Sequence, residues 1–301
     1  MKAILLGGIA ALQTYFIVYL IIDLVKHREQ LSITAHKREY VWGAVIGGIT
    51  SGLDTIGIGS FAPHTFLMNV TRTNDDKKLP GTLNVSHCIS VLIEAFIFIS
   101  VVTVAPLTIF SLIISSIVGS WIGSRTISTF SERKVQLIMG IALLLTSVLM
   151  ILRQQGFLDI LGKGNEAMSL TGGKLIIGIV GNFVFGALMT VGVGLFAPCM
   201  AMIYLLGISP IVAYPIMMGS CAGLMPVACV EFIKADHYDR VHSFSAILGG
   251  IVGVLVAARF VTGLDVSSLT WIIILIIIYT GIVYIYKGTH RSSPREAESH
   301  I

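Results

Sequence analysis

Charge is what this 301-residue chain has least of: 12% of its residues are Asp, Glu, Lys or Arg, while 55% are hydrophobic. A domain bounded by water carries about 25% charged residues, so water is not the main boundary here. The net charge of +4 is small and scattered. No Lys/Arg stripe with interleaved aromatics occurs, which excludes a nucleic-acid surface. Only four cysteines are present, Cys88, Cys199, Cys221 and Cys229, all in apolar runs without CxxC or Cys/His ligand spacing. That argues against a disulfide framework and against a metal site, and leaves buried thiols. The glycines of "GIGSFA" have no strand before them and no Lys-Ser/Thr after them, so no nucleotide cofactor is expected. "GSCAG", Gly219 to Gly223, has no base near Ser220 in sequence and reads as a packing helix rather than a nucleophile turn.

What the chain does contain is a series of apolar runs near twenty residues long, the length that crosses a bilayer. An all-α polytopic membrane protein is expected, whose partners are membrane lipid and a small solute, with a homo-oligomer left open. Residues 1–25 read as a transmembrane helix, retained because no small-residue cleavage site precedes Lys26 and Arg28. Residues 288–301 are polar and read as a disordered tail.

Between these ends the sequence repeats itself. Set against its own copy 135 residues on, the stretch from 53 to 63 has seven identities in eleven positions: Leu53, Thr55, Gly57, Gly59, Phe61, Ala62 and Pro63 against Leu188, Thr190, Gly192, Gly194, Phe196, Ala197 and Pro198. The register holds to Pro80 and Pro215, and "GSWIGSR" at Gly119 matches "GVLVAAR" at Gly253. Two membrane repeats follow, 43–152 and 176–287, each a broken apolar segment and then three helices. Lys and Arg concentrate in cytoplasmic loops. If the broken segments cross the membrane, twelve of these residues lie inside and eight outside; if they dip in and return, the division is fifteen against five. Re-entry therefore fits better. It gives seven crossings, an external N-terminus, a cytoplasmic C-terminus and two halves of opposite orientation, the inverted repeat found in secondary transporters.

Irregular backbone at membrane depth must line a cavity or be covered by protein, because bare N–H and C=O groups in hydrocarbon are costly. Gly57, Gly59, Gly192 and Gly194 permit the turns, and Pro63 and Pro198 suit the start of a return helix. The amides after Pro63, at His64, Thr65 and Phe66, are expected to face a central site with the positive end of a helix dipole, and likewise after Pro198. Two such ends would hold an anion without a buried cation. Asn84, Ser220, Cys199 and Cys221 lie near the breaks and can donate to an oxyanion. Glu94, His87 and Asp54 are ionisable groups at membrane depth, the residue type that marks proton relays; His87 and Glu94 share a helix face. Asp54 can also hold the turn by accepting from free amides.

The stretch "GVGLFAPCMAMIYLLGISPIVAYPIMMGSCAG", with its weaker copy from Gly57 to His87, resembles the paired signature of the sulfite exporter TauE/SafE permeases, also called the toluene sulfonate uptake permease group. The resemblance covers nearly the whole chain. It implies a plasma-membrane permease for sulfite, thiosulfate, sulfonates or other organosulfur anions, with the family's Gly-rich turn at Gly57, Gly59, Gly192 and Gly194 and its small-residue helix start at Gly81, Thr82, Gly219 and Ser220. The usual signature has more glycines and a longer reach to the proline, whereas here Ser60 and Leu195 follow the second glycine, as in a divergent member. The expectation is a secondary transporter, coupled to protons through Glu94, His87 or Asp54. An intramembrane enzyme and a passive anion channel are the alternatives.

Overall fold

Apolar runs cut off from water must satisfy their backbone N–H and C=O groups within the segment, so they form helices. The computed structural model describes residues 2–73, 75–101, 104–192, 195–260 and 266–290, and among them there is no strand beyond one bridge between Ala167 and Ile208. In order come α1 (Lys2–Lys26), a 3₁₀ turn (Arg28–Leu31), α2 (Lys37–Thr55), α3 (Phe61–Thr71), α4 (Leu79–Val101), α5 (Pro106–Ser128), α6 (Glu132–Gln154), α7 (Phe157–Gly162), α8 (Gly172–Met189), α9 (Phe196–Leu205), α10 (Pro210–Lys234), α11 (Arg240–Phe260) and α12 (Val266–Thr289). The helices α2 to α6 recur in order as α8 to α12. Helix α12 runs on to Thr289, past the expected start of the polar tail at 288, and residues 291–301 lie outside the described ones.

Seven helices among the described residues are long and apolar enough to cross a membrane: α1, α5, α6, α8, α10, α11 and α12. Helix α8 is one of them; α4, expected as a crossing, is not among the seven, and its residues 97–100 lie outside those whose side chains are described. Helix α4 has the length, 23 residues, but it carries Asn84, Ser86, His87, Ser90 and Glu94, all buried against other helices. Its polar face is turned inward.

The two broken segments are hairpins. Arg38, at the start of α2, donates from Nη2 to the carbonyl of Thr71 at the end of α3, 3.0 Å away. Halfway in, Thr50 Oγ1 lies 3.3 Å from His64 Nδ1. So α3 runs back along α2 to the side on which α2 began. In the second repeat, a Cβ on Gly207, just past α9, would lie 3.4 Å from Lys174 Nζ near the start of α8. A Cβ on Gly178 would lie 3.7 Å from Leu206 Cδ1. That segment also returns.

Packing exchanges the repeats. Helix α2 lies along α11 and α8 lies along α5, both at glycine contact distance: a Cβ on Gly253 would sit 2.0 Å from the Gly48 carbonyl oxygen, and one on Gly119 would sit 2.0 Å from that of Phe183. These two clashes are equivalents across the duplication. Helices α6 and α12 pair antiparallel, Gly140 against Ile285 and Gly281 against Leu144. Helix α10 runs through the middle, buried from Ile216 to Met218 and from Leu224 to Met225 without a break. One end of the bundle gathers the loops with most of the cations. There Asp23 holds Arg240 at 2.8 Å, Arg125 holds Glu231 at 2.7 Å, Arg133 donates to the Gly288 carbonyl at 2.6 Å, and Lys287 holds Asp76 at 3.0 Å.

Candidate functional site

Both hairpins turn on glycines held at positive φ, 84° at Gly57, 99° at Gly59 and 101° at Gly192. A side chain there would strain the backbone, so the turn depends on glycine. Gly194 lies outside the described residues. Each return helix begins two residues before its proline, and this corrects the expected amides. His64 N–H is already bonded to Ser60 O at 3.0 Å, and Cys199 N–H to Leu195 O at 3.0 Å. The donors without a helical partner are those of Phe61 and Ala62, and of Phe196 and Ala197, while Pro63 and Pro198 have none to offer. Helix α3 has 11 residues, about 16 Å at 1.5 Å per residue. From its membrane-surface end it reaches about halfway through a core about 30 Å thick.

A cavity lies between the hairpin tips. The turn from Gly57 to Pro63 forms one wall, Gly192, Leu195 and Cys221 the opposite one, with Asp54 and Arg153 as its ionic groups. It offers ≈ 50 Å³ to the centres of water-sized molecules; about 10–15 Å³ holds one water, so a few waters or one small oxyanion fit. Its mouth, at Ile56, Gly57, Gly59 and Arg153, is half-exposed at the end of the bundle away from the cation-rich loops. Behind Gly192 pack buried Met139 and Leu83, whose carbons would stand 3.1 and 3.6 Å from a Cβ on that glycine.

The ionic groups are only partly satisfied. Asp54 Oδ2 accepts from Ser60 Oγ at 2.7 Å, a side-chain hydroxyl rather than the free amides expected, while Oδ1 is buried without a partner among the described residues. Arg153 donates from Nη1 to the Gly57 carbonyl. It stands near the end of α6, where a cation reads by default as snorkelling toward the interface, so sequence reasoning did not single it out. Glu94 Oε1 accepts from Thr55 Oγ1 at 2.9 Å, and Oε2 is buried without a partner among the described residues.

His87 and Glu94 do share a face of α4, but they connect through α2. His87 Nδ1 lies 3.0 Å from Ser51 Oγ, which donates to Ser90 Oγ at 3.2 Å. Thr55, one turn beyond Ser51 on α2, meets Glu94. His64 turns from the cavity to this cluster, its Nδ1 2.8 Å from His87 Nε2 and its Nε2 2.9 Å from Nε2 of His242 on α11. His242 is the member that sequence reasoning missed.

Other expected donors are engaged within the protein. Thr65 Oγ1 donates to Phe61 O at 2.8 Å, and Asn84 Nδ2 to Pro80 O at 2.8 Å with its Oδ1 unpartnered among the described residues. Cys199 Sγ points at Asn182 Oδ1, 3.4 Å away, and Asn182 Nδ2 donates to Ser220 Oγ at 2.9 Å. Asn182 was not foreseen. It ties α8 to α9 and α10 beside the site, not in it. Cys221 alone of these lines the cavity, its thiol 3.8 Å from Met189 Sδ.

No curated protein and no solved structure gives a significant match to the chain. Residues 2–150 match the family model described as sulfite exporter TauE/SafE, a family of membrane permeases. That match spans α1 and nearly all of the first repeat, including the Gly57–Pro63 turn, and it is this part of the chain that is similar to the sulfite exporter TauE/SafE family.

Proposed function

We propose that this protein is a secondary transporter of small organosulfur or related organic anions, such as sulfite, thiosulfate or a sulfonate, and that it moves them with protons. The observation that carries the reading is the α3 N-terminus, Ser60 to Pro63, facing Gly192 and the α9 N-cap Leu195 across one cavity with Arg153 at its mouth. Unpaired amides and a helix dipole favour an anion at each end, and a guanidinium adds a planar donor fork suited to an oxyanion. Gly57, Gly59, Pro63, Gly192 and Cys221 frame the bound anion.

Protons enter the reading through Asp54. A carboxylate and a bound anion in one cavity repel, and a proton on Asp54 removes the repulsion. Glu94, buried beside Thr55 and one helical turn from Ser90, is the next acceptor inward, and His87 follows it. An open mouth on one side and the Met139 and Leu83 packing behind Gly192 support an alternating-access cycle. The cation-rich end is the cytoplasmic face, which leaves the C-terminus inside, the N-terminus outside and the cavity facing outward in the plasma membrane.

Reconstitution into liposomes tests this. Purified protein should exchange labelled sulfite or methanesulfonate across the bilayer, saturably, and accumulate it under an imposed pH gradient. Flux that rises without saturation would mean a channel. Absence of flux for sulfite, thiosulfate, sulfonate and carboxylate alike would end the transport reading.

A further inference from the structure

We propose that His242, His64 and His87 form a proton-conducting file that links the cation-rich face of the bundle to the anion cavity. The three rings come from α11, α3 and α4, and each is buried, with relative exposures of 1%, 0% and 0%. They meet end to end: His242 Nε2 to His64 Nε2 at 2.9 Å, His64 Nδ1 to His87 Nε2 at 2.8 Å, His87 Nδ1 to Ser51 Oγ at 3.0 Å. Both nitrogens of His64 and of His87 are therefore in the line. A neutral imidazole donates through one nitrogen and accepts through the other, so a single proton fits each gap.

The file has two states. With the proton of each gap on the side nearer His242, His242 carries its proton on Nε2, and His64 and His87 carry theirs on Nδ1. A proton added at the bare Nδ1 of His242 passes its charge along the line, one N–H forming and the next breaking in each gap, and an equivalent proton leaves His87 Nδ1 for Ser51. Rotation or return hops reset the order. From Ser51 and Ser90 the next groups, Thr55 and Glu94, stand one turn along α2 and α4, about 5.4 Å on, a distance one water bridges. Glu94 Oε2 and Asp54 Oδ1 are the acceptors at the cavity end that lack a partner among the described residues.

The other end is equally unsatisfied. His242 Nδ1, Ser243 Oγ, Asn84 Oδ1 and Ser86 Oγ are all buried and without partners among the described residues. All four lie on the stretch of α4 and α11 just above the Thr82–Asp239 contact. Buried polar atoms in such number call for water, and water there would feed His242. Half-buried Asp239, which accepts the His242 N–H at 2.9 Å, is the nearest charge toward that face. The cations on the surrounding elements are engaged elsewhere: Arg38 with Thr71, Arg240 with Asp23 and Asp236, Lys287 with Asp76.

The duplication supplies a control within the molecule. At the equivalent positions of the second repeat, His64 becomes Cys199, His87 becomes Ala222, Ser90 becomes Met225 and Glu94 becomes Cys229, while His242 becomes Thr108. That half packs without the histidines, so the fold does not require them.

The proposal rests on the transport reading for its cargo and its coupling to protons, and the test separates the two. In liposomes, His242→Gln should lower pH-gradient-driven methanesulfonate accumulation by about 100-fold, the lower end of what a positioned proton-transfer group contributes. Anion exchange without a gradient should keep its wild-type rate. Accumulation at the wild-type level in both His242→Gln and His87→Gln, each shown to be folded by size exclusion, overturns the file while leaving transport intact. Should wild-type protein exchange no anion, nitrogen NMR of histidine-labelled protein still decides: the file requires His64 and His87 to be the same tautomer and His242 the opposite one, and any other combination refutes it.

Discussion

Asp54→Asn is the substitution that tests the coupling most directly. Asp54 shares the cavity with the Phe61 and Ala62 amides, and its Oδ1 has no partner among the described residues to spread its charge. An anion seated on those amides is a like charge in the same cavity as the carboxylate, and two like charges about 4 Å apart repel by about 4 kcal/mol at an effective dielectric constant of 20. The sign follows from linkage: the anion binds the protonated site better, so its affinity rises as pH falls, by up to about tenfold per unit while one proton is taken up. Methanesulfonate is the right probe, because it keeps a single charge throughout the range and its own titration cannot imitate the effect. The carboxamide introduced by Asp54→Asn matches the protonated side chain in shape and neutrality, so the variant should bind at high pH about as well as wild type does at low pH, with a flat profile. The assay is equilibrium binding of labelled methanesulfonate to purified protein as a function of pH. A variant that keeps the wild-type slope would place the coupled proton elsewhere and refute the argument.

Three further outcomes are expected. Arg153→Gln removes the cavity's guanidinium and should weaken anion binding by about 10- to 150-fold, the worth of one hydrogen bond to a charged group, about 1.5–3 kcal/mol; unchanged affinity would make Arg153 a brace for Gly57 alone. Gly119→Ala and Gly253→Ala each push a methyl to 2.0 Å from a facing carbonyl oxygen, and each should cost about 1–3 kcal/mol in thermal unfolding. Gly8→Ala, with nothing within 4 Å, serves as the neutral control, and a large difference between the first two variants would contradict the pseudo-symmetric packing. Single cysteines at Arg28, Lys77 and Lys134 should react with an impermeant thiol reagent from one side of sealed vesicles, and one at Lys163 from the other; the four native cysteines are buried and silent. Labelling of Arg28→Cys and Lys77→Cys from opposite sides would mean that the first hairpin crosses the membrane.

The architecture was legible because it is written twice. Gly57, Gly59 and Pro63 weaken a helix at one place, and finding the same break at Gly192 and Pro198 turns a local oddity into a structural unit. Counting cations then favoured re-entry, and the Arg38–Thr71 contact agrees with it. The start of each return helix was misplaced by two residues, because Pro at the first position and Pro at the third leave the same sequence trace. His242 escaped notice for a different reason. Its partner His64 is 178 residues away, brought close only when α11 exchanges into the first repeat's hairpin, and no spacing along the chain encodes that exchange.

The asymmetry between the repeats separates what the fold supplies from what the chemistry requires. Both halves keep the glycine turn, the Phe-Ala-Pro start and the small residues that let α2 meet α11 and α8 meet α5, so paired helix ends at mid-depth come with the architecture. The proton-bearing groups, Asp54, His64, His87 and Glu94, have Met189, Cys199, Ala222 and Cys229 in the other half. On the transport reading, paired helix ends beside a line of titratable groups drawn mostly from the first repeat, with His242 of α11 at its head, would give the anion two similar contacts and the protons a path along the first hairpin. On that reading coupling resides in the first hairpin and the α11 histidine that meets it, and a chain whose second half carried the counterparts of Asp54, His64, His87 and Glu94 instead would run its protons through the opposite face.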